Sequence, residues 1–324
     1  MTEQPTVIAM GVHVLDVLVR PVEAIPEGQG GQLVEQIRAT AAGTAGGTAL
    51  TLAKLGARTR SAGAIGSDPL GDLLVALLRR GGVDTSLLVR RDDVQTSASV
   101  LPIRPNGERP AFHVIGANAT YGPADAPLAD ITAADHLHLG GPEFIGGEAA
   151  AEILSAARAA GTHTSADVLA DGDPGLLEWI APALPHLDVL LPNDDQVLGF
   201  TGEDDLEAGC RALLDRGVGL VAATAGADGA LLVDHDGAEH VPAFAVDVVD
   251  TTGCGDAFSA GFVVGLALGR EPRDAARLGC AAAALVAGGL GSDHGDFDLA
   301  AADAFGERTP ARVADDDAAP SGRV

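Results

Sequence analysis

The segment Gly253-Cys254-Gly255-Asp256 combines residues that could perform phosphate chemistry. This glycine loop runs directly into an apolar pattern of helical spacing, from Ala257 to Leu268. The first turn of a helix has unpaired backbone N–H groups and the positive end of the helix dipole, and glycines let an anion approach that backbone closely. Asp256 stands at the mouth of this anion site. We expect its carboxylate to stay ionised and to accept a proton from a substrate hydroxyl.

The loop therefore predicts phosphoryl transfer, with Asp256 as the catalytic base. The N–H groups of Gly253, Cys254 and Gly255 are the predicted stabilisers of the developing charge. The chain has a single lysine, Lys54, in a helical pattern, and it has no Walker motif G-x-x-x-x-G-K-[ST]. Backbone N–H groups, a metal ion and arginine must then meet the phosphate charge.

A longer string around this loop resembles a family signature. Residues 250–258, Asp-Thr-Thr-Gly-Cys-Gly-Asp-Ala-Phe, resemble the C-terminal motif D-T-x-G-A-G-D-x-F of the ribokinase-like (PfkB) carbohydrate kinases. Cys254 replaces the usual alanine, and we interpret it as structural. The resemblance covers about residues 6–300 and implies an ATP- and Mg²⁺-dependent kinase acting on a hydroxyl of a small sugar or sugar-like substrate. It also implies that Asp250 and Thr252 hold a monovalent cation, such as K⁺, behind the anion hole.

The family's substrate-binding motif, G-G-x-x-x-N-x-A, matches this chain less closely. With Leu55-Gly56 fixing the register, Gly43 takes the second glycine and Gly47 takes the sugar-binding asparagine. The resemblance thus marks Gly43 and Gly47 as substrate-binding positions and leaves the substrate open. Asp16 matches an early aspartate of the family, and one carboxylate can accept hydrogen bonds from two hydroxyls of a polyol.

Two further segments resemble the nucleotide-binding end of the family. Asn193 is retained from an N-x-x-E motif, whose glutamate assists metal and phosphate binding, whereas the glutamate position is Gln196 here. We expect this loss of charge to weaken the attraction for magnesium unless Asp194 or Asp195 compensates. Residues 224–229 resemble the nucleotide-binding turn. The ATP-binding residues implied by the resemblance are Asn193, Thr224, Gly226 and Gly229.

The order of elements predicts the fold class. Buried strand patterns alternate with helical patterns, which is typical of an α/β fold with a doubly wound, mainly parallel central sheet and helices on both faces. Segments 32–39, 97–103 and 111–115 alternate like strands and predict a small β-sheet lid, near residues 13–40 and 95–116. We predict one kinase domain over residues 1–306 and a disordered acidic tail over 307–324. The substrate is expected between lid and sheet.

Composition and charge restrict the classes of binding partner and the cellular compartment that we expect. The chain has 324 residues and a net charge of −26, which disfavours nucleic acid and anionic lipid as partners. No uninterrupted apolar run reaches the roughly 20 residues of a membrane span. The N-terminus lacks a signal-peptide pattern, and Cys210, Cys254 and Cys280 form no C-x-x-C pair, so we predict a reducing cytoplasm. The family resemblance implies a homodimer.

Two alternatives stay open. A nucleoside kinase would share the fold and the chemistry. A catalytically weakened sugar-binding or regulatory protein is favoured by Gly47 and Gln196 and opposed by the intact Asp256 loop. A Rossmann dehydrogenase would need G-x-G-x-x-G after the first strand, where none occurs. We interpret residues 293–296, Asp-His-Gly-Asp, as a polar loop near the active-site rim and not as a metal cluster.

Overall fold

The strands and helices come from a computed structural model that describes residues 4–105 and 108–312. The strands are β1 (Thr6–Gly11), β2 (Val14–Arg20), β3 (Gln36–Ala42), β4 (Arg58–Gly66), β5 (Asp84–Arg91), β6 (Ala98–Pro102), β7 (Phe112–Val114), β8 (His136–Gly140), β9 (His163–Asp167), β10 (Val189–Leu190), β11 (Leu220–Thr224), β12 (Ala230–Val233) and β13 (Ala238–Val241). The helices are α1 (Gly46–Lys54), α2 (Pro69–Arg80), α3 (Leu128–Ile131), α4 (Pro142–Ile145), α5 (Gly147–Ala159), α6 (Pro174–Ile180), α7 (Asp194–Thr201), α8 (Leu206–Leu214), α9 (Cys254–Ala267), α10 (Pro272–Ala287) and α11 (Leu299–Arg308).

A nine-stranded sheet forms the centre of the fold. Its strand order is β13-β12-β11-β10-β9-β8-β1-β4-β5. All pairs from β11 across to β5 are parallel, and β12 and β13 add an antiparallel edge. Helices separate the parallel strands along the chain, which is how parallel neighbours must be connected. The predicted doubly wound α/β class is confirmed.

Helix α9, which begins at the glycine loop, is enclosed by protein along most of its length. Its residues from Ala257 to Gly265 are all buried, and it packs between α1 and α10. A helix that is apolar on every side has to be surrounded by protein. This burial holds the N-terminal turn of α9, and with it the glycine loop, in a fixed place.

The second sheet has four strands in the order β3-β2-β6-β7. Asp16 on β2 pairs in register with Thr40 on one side and Ser99 on the other. These three polar side chains therefore share one face, because side chains alternate along a strand. Val100 pairs with Phe112, and both lie on the opposite face. We call this sheet the lid.

The lid contains one strand that the sequence did not predict. Strand β2 lies at the centre of the lid, between β3 and β6, and its residues from Val14 to Asp16 are all buried. Burial on both faces removes the alternation of apolar and polar residues by which a strand is recognised. The three lid strands that the sequence did predict keep that alternation, which is typical of a strand with one exposed face.

The predicted start of a disordered tail at residue 307 is wrong. Helix α11 continues to Arg308, and Ala311 forms an antiparallel bridge with Phe244. Residues 313–324 of the predicted tail lie outside the described residues. Within the described ranges, no helix is both long enough and apolar enough to cross a membrane.

Candidate active site

The predicted site residues gather at the carboxyl ends of the parallel strands. Strand β9 ends at Asp167, Asn193 follows β10, and β11 ends at Thr224. Asn193 and Thr224 form a parallel bridge although 31 positions of sequence separate them. Ligands of open α/β sheets bind at this edge, outside the carboxyl ends of the strands.

The glycine loop turns into α9 through a backbone that only glycine suits. Gly253 precedes the helix with φ of +77°, and a Cβ there would lie 2.3 Å from Cβ of Ser292. The N–H of Cys254 donates to the carbonyl of Thr251 at 3.2 Å. One of the three predicted donors is therefore engaged within the loop. At Gly255 a Cβ would meet no heavy atom within 4 Å, so space is open in front of it.

Asp256 lies in the first turn of α9 and is partly exposed. Burial of the carboxylate and the negative charge of Asp16 raise its pKa to about 7, against the opposing effect of Arg109. The sequence predicted a fully ionised carboxylate, and the structure corrects this. A group that titrates near neutrality is well matched to general base catalysis, because it is both available and basic enough to take a proton.

Gly47 lies directly against Asp256. A Cβ at Gly47 would be 2.2 Å from Oδ2 of Asp256, so the missing side chain leaves room for the catalytic carboxylate. Gly43 lies one turn earlier, and its carbonyl accepts a hydrogen bond from the N–H of Gly47 at 2.7 Å. Neither glycine has a side chain that could bind a substrate. They can contribute to substrate binding only through the space they leave and through their backbone N–H and C=O groups.

Asp16 reaches the same site from the lid. Its residue surface is only 7% exposed, and burial raises its pKa to about 6 although a hydrogen bond from Ser99 and the charge of Arg109 lower it. The negative charge of Asp250 acts in the raising direction. Asp16 and Asp256 thus lie close enough to influence each other's proton affinity.

Asp250 and Thr252 are buried behind the loop. Oδ1 of Asp250 accepts hydrogen bonds from the backbone N–H and the hydroxyl of Thr252, at 3.0 and 2.7 Å, and Oδ2 accepts from the N–H of Gly291 at 2.9 Å. Arg109, from the turn between β6 and β7, donates to Oγ1 of Thr252 at 2.5 Å. Its guanidinium lies 3.8 Å from Oδ1 of Asp250. The sequence did not single out Arg109.

Asp167 is a second residue that sequence reasoning missed. It ends β9 and accepts a hydrogen bond from the hydroxyl of Ser259 at 3.3 Å. Burial, together with the charges of Asp256 and Glu143, holds its pKa well above the usual value. Burial therefore disfavours the ionised form of the Asp167 carboxyl. The only available signal was an aspartate at the carboxyl end of a predicted buried strand.

The nucleotide end is built from the β10–α7 and β11–β12 connections. Asn193 caps α7 by accepting a hydrogen bond from the N–H of Gln196, and the N–H of Thr224 donates to Pro192. Gly226 and Gly229 both have positive φ, 52° and 100°, and close the turn between β11 and β12. The four predicted ATP-binding residues therefore form two adjacent turns at one edge of the sheet.

Gln196 has a structural role that the sequence did not indicate. Its Oε1 accepts from the N–H of Asn193 at 2.9 Å, which completes a capping box. Its Nε2 donates to the carbonyls of Val168 and Ala170, at 2.8 and 3.0 Å. A glutamate could make the first of these bonds but has no N–H groups for the other two.

Lys54 holds the polar loop that follows α10. Its ammonium donates to the backbone carbonyls of Asp293, His294 and Gly295, each at 2.8 Å, and lies 4.9 Å from the ring centre of Phe297. No group of three metal-ligating side chains occurs among residues 4–105 and 108–312. The loop is thus ordered by a lysine.

The cysteines are free thiols. Cys210, Cys254 and Cys280 form no disulfide. Burial raises the pKa of Cys254 to about 12, and its Sγ lies 3.6 Å from the carbonyl of Ala283. A thiol with so high a pKa is a poor nucleophile at neutral pH. This geometry agrees with the interpretation of Cys254 as structural.

Comparison with known proteins points to one family. A model of the pfkB family of carbohydrate kinases matches residues 10–296. The chain is 32% identical over 280 residues to the ATP-dependent ribose-1-phosphate kinase of Halopiger xanaduensis, covering 86% of this chain and 90% of the relative. It is 28% identical over 229 residues to the aminoimidazole riboside kinase of Salmonella typhimurium, covering 68% and 72%.

A solved structure supports the fold independently. The ribokinase of Thermotoga maritima superposes with a TM-score of 0.79 at 25% identity, covering 94% of this chain and 100% of that chain. The predicted family resemblance is confirmed. The family match over nearly the whole length shows that this chain belongs to the PfkB family of carbohydrate kinases and is a phosphotransferase that acts on a sugar or a nucleoside.

Proposed function

We propose that this enzyme transfers the γ-phosphoryl group of ATP to a hydroxyl of a furanose sugar or sugar phosphate, with Asp256 as the general base. The observation that carries the proposal is the placement of Asp256. Its carboxylate lies in the first turn of α9 with a pKa of about 7, and Asp16 lies close enough to raise that pKa. A base of this strength beside a helix N-terminus suits proton removal from a hydroxyl next to an anionic phosphate.

The transfer step uses few protein groups. The acceptor hydroxyl gives its proton to Asp256 while its oxygen bonds to the γ-phosphorus, and the bond from that phosphorus to the β–γ bridging oxygen breaks with its electron pair leaving on ADP. The N–H groups of Gly253 and Gly255 stabilise the transferring phosphoryl oxygens. Cys254 joins them only if its N–H leaves the carbonyl of Thr251.

Asp16 and Gly47 set the acceptor side of the proposed site. The Asp16 carboxylate accepts hydrogen bonds from acceptor hydroxyls. Gly43 and Gly47 shape the floor of the site. Gly47 gives Asp256 its place and leaves no amide to bind the sugar.

The nucleotide side is proposed for Asn193, Thr224, Gly226 and Gly229, which line two adjacent turns. A magnesium ion carried by ATP would neutralise phosphate charge at this end of the site. Among the nearby groups we assign the magnesium ligand to Asp194. Burial and the negative charges of Asp195 and Asp228 raise its pKa, and a cation would relieve the repulsion among these carboxylates.

A monovalent-cation role for Asp250 and Thr252 stays a prediction. Both carboxylate oxygens of Asp250 already accept hydrogen bonds from within the protein. Arg109 also brings positive charge to within 3.8 Å of one of them. The proposed phosphoryl transfer therefore does not depend on such an ion.

Ribose 1-phosphate is the first acceptor to test, because the 32%-identical relative carries that activity in its name. A nucleoside acceptor is the alternative, supported by the riboside kinase at 28% identity. We place the enzyme in the cytoplasm, since free cysteines suit a reducing compartment. We also propose a homodimer formed through the exposed apolar face of the lid.

The test is a coupled assay of ADP release by the full chain with ATP and magnesium, against ribose, ribose 1-phosphate and nucleosides, with mass analysis of the product. We expect one class to be phosphorylated in step with ADP release. Asp256→Asn should lower kcat about 10²- to 10⁴-fold and leave ATP binding unchanged. A binding or regulatory protein would bind sugar without turnover, and near-normal kcat in Asp256→Asn would refute the mechanism.

A further inference from the structure

Arg109 supplies positive charge at the acceptor side of the site. It leaves the lid between β6 and β7 and donates to Oγ1 of Thr252, the residue just before the glycine loop. Its charge acts on Asp16, Asp256 and Cys254, lowering the pKa of each. Within the described part of the chain, no other cation is found to act on these three groups.

The location of Arg109 favours the acceptor over the nucleotide. The charge of Arg109 reaches Asp16 and Asp256, which belong to the acceptor and the transfer step. The nucleotide-end carboxylate Asp194 instead responds to burial and to the neighbouring charges of Asp195 and Asp228. The γ-phosphoryl group also has its own donors in the glycine loop.

The guanidinium of Arg109 is not committed to a carboxylate. Its Nη1 lies 3.8 Å from Oδ1 of Asp250, beyond hydrogen-bond length, and its side chain is 37% exposed. Arg270 provides the contrast, because it binds both oxygens of Asp303 at 2.7 Å. A guanidinium without a bidentate partner keeps the planar fork that matches phosphate geometry.

A local cation at this point has a consequence for the substrate. The molecule carries a net charge of −26, and the carboxyl groups of Asp16, Asp250 and Asp256 lie close to one another at the acceptor side. An uncharged sugar needs no arginine among these groups. A phosphorylated sugar would be repelled by them unless a cation met its phosphate.

We propose that Arg109 binds the phosphate of a phosphorylated acceptor and so makes this enzyme a sugar-phosphate kinase. The proposal rests on the proposed function and adds the substrate class and the residue that selects it. The acceptor oxygen takes the γ-phosphoryl group of ATP as above, and the product is a sugar bisphosphate with ADP. Arg109 makes no bond to the transferring group.

The test compares an acceptor pair that differs by one phosphate, ribose and ribose 1-phosphate, in the wild type, Arg109→Ala and Arg109→Lys. We expect the wild type to prefer ribose 1-phosphate. At about pH 9, where Asp256 is ionised with or without Arg109, kcat/KM for ribose 1-phosphate should fall about 10- to 100-fold more in Arg109→Ala than kcat/KM for ribose, the cost of losing a charge-assisted hydrogen bond to the phosphate. Arg109→Lys should recover part of the loss.

Arg104→Ala is the matched control, since it removes the same charge from the same turn and Arg104 pairs with Glu108 at the surface. Equal effects of both alanine variants would mean that the turn alone matters and would overturn the proposal. So would an equal fall of kcat on both acceptors, which marks a role in the transfer step. A wild type that phosphorylates ribose or a nucleoside but not ribose 1-phosphate keeps the proposed function and defeats this inference.

Calorimetric titration of ribose 1-phosphate without ATP decides the case in which no acceptor is turned over. Binding by the wild type that weakens about 10-fold or more in Arg109→Ala supports the phosphate contact. Absence of binding, or equal binding by both proteins, overturns it. Failure of turnover alone counts against the proposed function.

Discussion

Asp256 is surrounded by groups that act on its proton in opposite directions. Burial and Asp16 raise its pKa, and Arg109 lowers it, with a resulting value of about 7. Asp16 has a pKa of about 6 and is therefore largely ionised when Asp256 titrates. After burial, the negative charge of Asp16 is therefore the second cause of the basicity of Asp256.

The first prediction concerns this effect of Asp16 on Asp256. The base acts in its ionised form, so kcat/KM should fall as pH drops through about 7. Asp16→Asn removes the charge that raises the pKa of Asp256, so the acidic limb should move to lower pH. The measurement is the pH dependence of kcat/KM in both proteins. Since Asp16→Asn also weakens acceptor binding, the position of the limb is compared and not its height.

Two results would contradict this prediction. The first is a rate that does not change across neutrality in the wild type. The second is a limb that moves to higher pH in Asp16→Asn, because removing a negative neighbour cannot raise the pKa of a carboxyl group.

The second prediction concerns Gly47. Alanine there would place a Cβ 2.2 Å from Oδ2 of Asp256, and the carboxylate is the part that can rotate away. Gly47→Ala should therefore lower kcat by about 10²-fold or more, as loss of a general base does, with little change in the KM for ATP. Steady-state kinetics measures this, and thermal unfolding shows whether the fold is kept.

Gly237→Ala is the control for adding a methyl group, because a Cβ there meets no heavy atom within 4 Å. It should leave kcat unchanged. A Gly47→Ala enzyme with normal kcat would show that Asp256 does not need the space it occupies in the structure.

At the scale of elements, local motifs could be predicted from the sequence and long-range neighbours could not. The glycine loop and Asp256 are contiguous, so their relation follows from the start of one helix. Asp16, Arg109 and Asp167 come from β2, a lid turn and β9, and only the packing of two sheets brings them to Asp256. Asp256 was expected to be ionised because burial of a carboxylate cannot be determined from its neighbours in sequence.

Helix α7 shows the same limit in one side chain. A glutamine in place of the family's glutamate indicated a weaker metal site, whereas the structure gives Gln196 a cap and two bonds to carbonyls in the chain after β9. These carbonyl partners lie 28 and 26 positions away. The amide therefore joins α7 to the segment following β9, a contact that no local pattern encodes.

The third prediction follows from that contact. Gln196→Glu replaces two donated bonds with a buried carboxylate beside two carbonyls, and we expect it to reduce the free energy of unfolding by about 1–3 kcal/mol. The loss should grow as pH rises, because a protonated carboxyl can still donate one bond and an ionised one cannot. Thermal unfolding at several pH values measures this.

Asp195→Asn is the control, since it changes one charge in the same helical turn at an exposed side chain. It should change stability little. If Gln196→Glu were as stable as the wild type at every pH, the amide contacts would not hold α7 in place, and the charge at this position would have to be considered for magnesium instead.

At the scale of the whole molecule, the lid presents two chemically different faces. Asp16 and Ser99 share the face turned to the site, while Ile37, Val100 and Phe112 lie on the other face and are 67%, 45% and 60% exposed. A contiguous exposed apolar surface on a sheet marks an interaction site. In a cyclic dimer the same patch of each subunit would cover that of its partner.

The fourth prediction tests this lid interface. Phe112→Asp places a charge on the apolar face of the lid and should convert a dimer into a monomer, because an unpaired buried charge is costly at an interface. Analytical ultracentrifugation of both proteins gives the molecular mass.

The matched control is Leu128→Asp, a change of the same kind at a residue that is 45% exposed and lies in α3, outside the lid. It should leave the mass unchanged. A wild type that is monomeric at all concentrations, or a Phe112→Asp variant that stays dimeric, would mean that the apolar face of the lid is not the dimer contact. Asp16 lies on the opposite face of the same sheet. The monomeric variant should therefore show a larger increase in the KM for the acceptor than in the KM for ATP, each compared with the wild type.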